Sequence, residues 1–315
     1  MNSQCGLGRE WKMSAMQGIE HLLASGAELR RVATGASWSE GPVWIPSLGA
    51  VRWSDIPNNR ILQFDADTEE LVEYRTDVEF TNGRSLDQSG AVIQCSHGRR
   101  CIERDLDGVV TTLVDRWNGS RFNSPNDVIV KSDGTIWFTD PPYGIIQVNE
   151  GHPGKREYGG NFVFRFDPVT ETIAPVVTDI EEPNGLAFSP DELVLYISDT
   201  SAVLRTDGTG NHHIRAYDVI DSDHCDNGRL FADVHPGISD GFRVDFAGRV
   251  WTSSADSVQV FSPHGERLGA IPVPEIVSNL CFGGPTGSTL YVTATTSLYS
   301  IETATVGATS ERARS

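Results

Sequence analysis

The sequence predicts an all-β chain folded as a six-bladed β-propeller with four-stranded blades. Three observations predict it. A short β-rich run recurs six times, as VRWSD (51–55), VIQCSH (92–97), IWFTD (136–140), LYISD (195–199), VWTSS (250–254) and LYVTA (290–294). Each follows a turn: SLG, QSG, SDG, SPDE, FAG or PTGS. Ten or eleven positions before each run stands a side chain carrying a carbonyl or carboxylate oxygen: Glu40, Asn82, Asn126, Asn184, Asp240 and Asn279. Repeats of roughly 40–50 residues with several strands each are the signature of propeller blades.

The remaining strands follow in order. ILQFDAD (61–67), CIERDLDG (101–108), FVFRFDPVT (162–170), IRAYDVID (214–221) and VQVFSPHG (258–265) read as third strands, and SLYSIE (297–302) as the third strand of the last unit. LVEYRT, VTTLVD, IAPVVTD, RLFADV and RLGAIPV supply fourth strands. Residues 1–30 are expected to be an N-terminal extension, partly helical or disordered. Residues 31–305 form a single propeller domain, and 306–315 a disordered tail. Met13 and Met16 are further candidate starts of the folded chain. The stretches 141–160 and 200–213 read as long loops, of the kind that often cover a site on a rigid scaffold.

Composition narrows the function. With 315 residues, 38% hydrophobic and 22% charged, the chain can bury a real core, and its 31 glycines favour turn-rich β structure. The net charge of −18 lacks the basic face that nucleic acid requires. The five cysteines, Cys5, Cys95, Cys101, Cys225 and Cys281, are odd in number and show no CxxC pair. Reduced, scattered thiols are therefore expected, although Cys95 and Cys101 could meet across a hairpin. The first thirty residues hold no apolar run of about 7–15 residues, and no stretch of about 18 apolar residues exists anywhere. Neither a signal peptide nor a membrane span is expected, and the cytoplasm is the expected location.

In a propeller the innermost strands line a central channel, so one fixed point on every first strand lies on a ring around the axis. The plain alternative for PNG at 183–185 is turn chemistry, since Asn tolerates φ > 0 and Gly permits it. Six oxygen-bearing residues in register, one of them Glu40, are harder to explain by turns. Two carboxylates facing each other need compensation, and a divalent cation supplies it. With oxygen donors and no His or Cys on the ring, Ca²⁺ comes first, then Mg²⁺ and Mn²⁺, with Zn²⁺ and Fe²⁺ left open.

SEGPVW (39–44), SDIPNNRIL (54–62), RFNSPNDVIVKSDGTIWFTDPPYG (121–144), PNGLAFSPDE (183–192), SDGFRVD (239–245) and FGGPTGSTLYVTATTSLY (282–299) resemble the gluconolactonase branch of the senescence marker protein/gluconolactonase/regucalcin-like family, from about residue 37 to 302. The resemblance implies a six-bladed propeller with a divalent metal at its centre, held by Glu40, Asn184 and Asp240, with Asn126 close to the metal or the substrate. Vertebrate members carry a substrate-binding Arg two residues before that Asn. Here Ser124 and Pro125 precede Asn126, and Arg121 lies five before it as the substitute candidate.

The activity so implied is hydrolysis of a sugar lactone, such as gluconolactone or a pentonolactone, with Asp240 taking a proton from the attacking water. Asp140, Tyr143 and His97 are further candidate substrate contacts. For Asp140 the alternative is turn capping, and for His97 a packed, hydrogen-bonded ring. Asp55, Asp127 and Asp199 are expected to be structural, Arg99–Arg100 and His212–His213 to be solvated, and Trp38, Trp44, Trp53, Trp137 and Trp251 to pack between blades. Two rivals stand: phosphotriester hydrolysis, since the chain also resembles diisopropylfluorophosphatase, and a non-catalytic calcium- or protein-binding propeller.

Overall fold

The computed structural model describes residues 18–205 and 207–309. The parts of the expected N-terminal extension and tail at 1–17 and 310–315 lie outside the described residues, as does Cys5. The rest is nearly all strand, arranged as six antiparallel four-stranded sheets. Blade 1 runs Ser39–Ile45, Ala50–Asp55, Arg60–Asp65, Leu71–Thr76, and blade 2 runs Thr81–Leu86, Val92–Ser96, Cys101–Leu106, Val109–Val114. Blade 3 is Val128–Val130, Ile136–Asp140, Phe162–Asp167, Thr172–Val177, and blade 4 is Pro183–Phe188, Val194–Asp199, His213–Ile220, His224–Asp233. Blade 5 is Phe242–Val244, Val250–Thr252, Ser257–Phe261, Arg267–Pro272. Blade 6 takes Val277–Gly283, Thr289–Ala294 and Ser297–Glu302 from the C-terminal end, and its fourth strand, Arg30–Thr34, from the N-terminal end. The first strands of successive blades are neighbours all round, with blade 6 against blade 1.

This closure provides the sixth unit's fourth strand, for which the sequence pattern names no segment. It also draws in the segment before it: Ile19 and Leu22 are buried with Val258, Ile271 and Leu290 between blades 5 and 6. At the other end, Ala308 N–H donates to the Val244 carbonyl (2.9 Å), so residues 306–308 lie along blade 5.

The core consists of layers between adjacent blades, because each sheet buries both faces. Trp137 of blade 3 packs with Leu186, Leu195 and Ile197 of blade 4. Trp53 of blade 1 packs with Tyr291 and Leu298 of blade 6, and Trp44 stacks on Tyr291 at 5.7 Å. Cys95, Cys101, Cys225 and Cys281 are free thiols. No helix among the described residues is long and apolar enough to cross a membrane.

One device recurs where a second strand ends. Asp55 accepts the backbone N–H of Ser37 (2.8 Å) and Trp38 (3.3 Å), and Asp199 those of Glu181 (3.1 Å) and Glu182 (3.3 Å). Each carboxylate thus anchors the chain segment that enters its own blade's first strand.

Candidate active site

Asn184 lies inside the first strand of blade 4, not in a turn. The glycine after it answers to a neighbour. Gly185 N–H donates to the Asp240 carbonyl of blade 5 (2.9 Å), and a Cβ at Gly185 would lie 2.4 Å from that oxygen. Gly83 repeats the arrangement, donating to the Asn126 carbonyl (2.8 Å) with no room for a Cβ against Asp127. The Asn-Gly dipeptides are therefore close-approach sites, where the backbone of one innermost strand touches the next. Register shifts between Glu40 and Val43 and between Pro183 and Leu186 place a bulge at the same point, which re-aims the side chain there.

Glu40 is buried. Its Oε2 accepts the Gly41 N–H and the Asn279 side-chain amide (3.0 Å). Its Oε1 is buried and has no hydrogen-bond partner among the described residues. Burial, with Asp127's charge adding and Asn279 opposing, pushes the Glu40 carboxyl up to about 7. Asp240 is half-buried, and its carboxyl is pushed well above the usual range by burial and then by the charge of Glu40. The Asn184 side chain hydrogen-bonds Asp240 and opposes that rise. Two carboxylates that repel one another, one with an orphaned oxygen, suit a hard divalent cation. No group of three or more His, Cys, Asp and Glu that could hold a metal occurs among the described residues; the donors here are two carboxylates and amide oxygens.

Other predicted residues reach this ring by different routes. The buried Tyr143 hydroxyl bonds to Thr200 Oγ1, which also accepts the Asn184 side-chain amide (3.3 Å). His97 is fully buried and joins ring residue Asn82 at 3.2 Å. Asn126 is buried on the ring, with its backbone N–H on the Thr139 carbonyl (2.9 Å). Asp127 is turned to Arg243 (3.4 Å) and to the Val128 N–H (2.9 Å). Asp140 accepts the N–H groups of Asn123 (2.7 Å) and Ser124 (2.8 Å) and the Tyr158 hydroxyl. It is the blade 3 counterpart of Asp55 and Asp199, and both its oxygens are engaged by the protein. Arg121 lies in a short hairpin, Arg116–Trp117 with Ser120–Arg121. Its guanidinium donates to the Arg99 carbonyl (2.9 Å) and its backbone to Glu157 (2.8 Å), with no hydrogen bond to the ring among the described residues.

Sequence reasoning missed Thr200 and Glu150. Thr200 directly follows the strand-end Asp199, which was its only signal. Glu150 lies in the loop after a short helix, Tyr143–Ile146, and nothing local marks it. Burial pushes its carboxyl up to about 7, and its charge adds to that felt by Asp240. Two surface clefts, of about 270 and 340 Å³, lie on the flanks of blade 2 and between blades 4 and 5, and neither contains a ring residue.

The family profile described as "SMP-30/Gluconolactonase/LRE-like region" matches residues 38–296. A gluconolactonase of Zymomonas mobilis is 29% identical, covering 92% of this chain and 85% of its own length. A pentonolactonase of Haloferax volcanii is 29% identical, with 84% of each chain covered. The solved structure of a gluconolactonase from Xanthomonas campestris superposes with a TM-score of 0.84 at 36% identity, covering 91% of this chain and 92% of that one.

Proposed function

The chain belongs to the SMP-30/gluconolactonase/LRE-like family, and from that premise we propose that it hydrolyses a sugar lactone, such as gluconolactone or a pentonolactone, to the open-chain acid. The observation that carries the reading is the Glu40–Asp240 pair on the channel ring, with Glu40 Oε1 buried and unpartnered among the described residues. The similarity to two gluconolactonases and a pentonolactonase supports the substrate class.

Glu40, Asn184, Asp240 and Asn126 would hold one divalent ion, Ca²⁺ by the hardness of the donors. When bound, such an ion supplies a Lewis acid for the lactone carbonyl and acidifies water. The protein's own groups do the rest. Asp240 accepts the proton of the attacking water as the new C–O bond forms, and that proton returns to the ring oxygen as its bond to the carbonyl carbon breaks. The Asn184 amide, itself tied to Thr200 and through it to Tyr143, keeps the Asp240 carboxylate in place. Asn126 and Arg121 remain candidates for substrate hydroxyls. Asp140, fully engaged, positions the entry to blade 3.

The test is acid release in a pH-stat by metal-stripped protein given gluconolactone, xylonolactone and galactonolactone, with each divalent ion added back. Metal-restored acid release supports the reading, and the ranking names the sugar. Ion binding without any lactone hydrolysis would sink it, leaving a phosphotriester substrate or a non-catalytic calcium-binding propeller to be assayed next.

A further inference from the structure

We infer that Asn82 accepts a hydrogen bond from a substrate hydroxyl, that His97 sets the orientation of its amide, and that the pair makes the site select hydroxylated lactones. The inference rests on the lactonase reading and adds a specificity determinant to it.

Asn82 occupies the blade 2 position of the ring and is 3% exposed. Its Nδ2 lies 3.2 Å from His97 Nε2, while Oδ1 is buried with no partner among the described residues. The neighbours of this amide force which way it points. His97 Nδ1 lies 2.9 Å from the Glu150 backbone carbonyl, which can only accept, so Nδ1 carries the hydrogen. The ring is neutral, since burial pulls its pKa down to about 4. Nε2 is then bare and can only accept, so Asn82 must offer it the NH₂ group. The amide oxygen then faces away from His97 Nε2 and is the atom left without a partner among the described residues.

A buried acceptor without a donor is unfavourable and needs a donor to arrive. The charged ring members, Glu40 and Asp240, are also acceptors when ionised. A polyhydroxylated ligand supplies donors to such a lining, whereas a bare lactone ring supplies none. The Glu150 carbonyl belongs to the loop after Asp140, and Gly144 of that loop packs on His97 so closely that a Cβ there would lie 2.6 Å from the His97 Cβ. The loop thereby fixes the tautomer, and the tautomer fixes the amide. His97 is a positioning residue; Asn82 makes the contact.

The experiment compares kcat and KM on glucono-δ-lactone and on δ-valerolactone, the same ring without hydroxyl groups, for wild type, Asn82→Ala, His97→Phe and His97→Gln. Calcium affinity is measured by calorimetry on each. Asn82→Ala is expected to lower kcat/KM on gluconolactone about tenfold, the size of one hydrogen bond, and to leave valerolactone within about twofold. His97→Phe should move in the same direction, and His97→Gln, which keeps an acceptor near Nε2, should recover most of the loss. Equal losses on both lactones, or weakened calcium binding in Asn82→Ala, would overturn the assignment and place Oδ1 on the ion or in the scaffold. Hydrolysis of neither lactone by the wild type would overturn the lactonase reading, and this assignment with it.

Discussion

At the end of a blade's second strand a carboxylate is enclosed by donors, whereas at the opening of a first strand it is not. Asp199 accepts three backbone N–H groups and the Asn211 amide, and Asp55 accepts two backbone N–H groups together with Asn58 and Arg60. Glu40 keeps one oxygen without a partner among the described residues, and Asp240 is half-buried and feels the charge of Glu40. Both kinds are acidic and largely enclosed, and Asp55 pairs directly with Ser39, the residue before Glu40. If the proposed site is right, burial alone does not mark a functional carboxylate; an unfilled acceptor does.

The largest expected effect falls on the unfilled set. Asp240→Asn should lower kcat on the preferred lactone by about 10²–10⁴-fold, while the urea midpoint of the ion-free protein holds or rises because the repulsion with Glu40 is gone. Unchanged turnover in folded, ion-loaded Asp240→Asn would erase the distinction. Asp199→Ala should do the reverse. It strands the N–H groups of Glu181, Glu182 and Ser201 and should destabilise the protein by about 2–4 kcal/mol in urea unfolding, with activity per folded molecule little changed. Gly185→Ala belongs to both sets, because its Cβ would press on the Asp240 carbonyl. A loss of about 1–3 kcal/mol, accompanied by reduced turnover, is expected; a full-activity variant would show that Asp240 tolerates displacement.

The smallest effect concerns pH. The Glu40 carboxyl is raised from 4.5 to about 7, so the folded protein holds a proton that the unfolded chain has released. In the ion-free protein this group's contribution to stability is present below about 4.5 and is lost as pH rises toward 7. Calcium needs the ionised form. The gain in Tm on adding Ca²⁺ should therefore be larger at pH ~8 than at pH ~5, and a gain independent of pH would remove Glu40 from the ligand set.

Much of this was legible in the sequence, and the rest was hidden for physical reasons. The ring positions could be read because the blade period converts a fixed offset from WSD, FTD or ISD into a point on the ring around the axis. Asn184 could also be read as a turn residue because the reason for Gly185 is the backbone of the next blade, which no local pattern contains. The closing strand Arg30–Thr34 escaped assignment because its partner, Ser297–Glu302, lies at the far end of the chain. Asp140 was open to two readings until its two backbone donors matched those of Asp55 and Asp199. Thr200, Glu150 and the His97–Asn82 contact depend on where a loop settles, and loop residues carry no periodicity.

The most direct test of the comparison is calcium titration of metal-stripped wild type, Glu40→Gln and Asp140→Asn by calorimetry. The account predicts one ion per chain in wild type and Asp140→Asn, and an affinity at least about tenfold weaker in Glu40→Gln. Wild-type affinity in Glu40→Gln would contradict it.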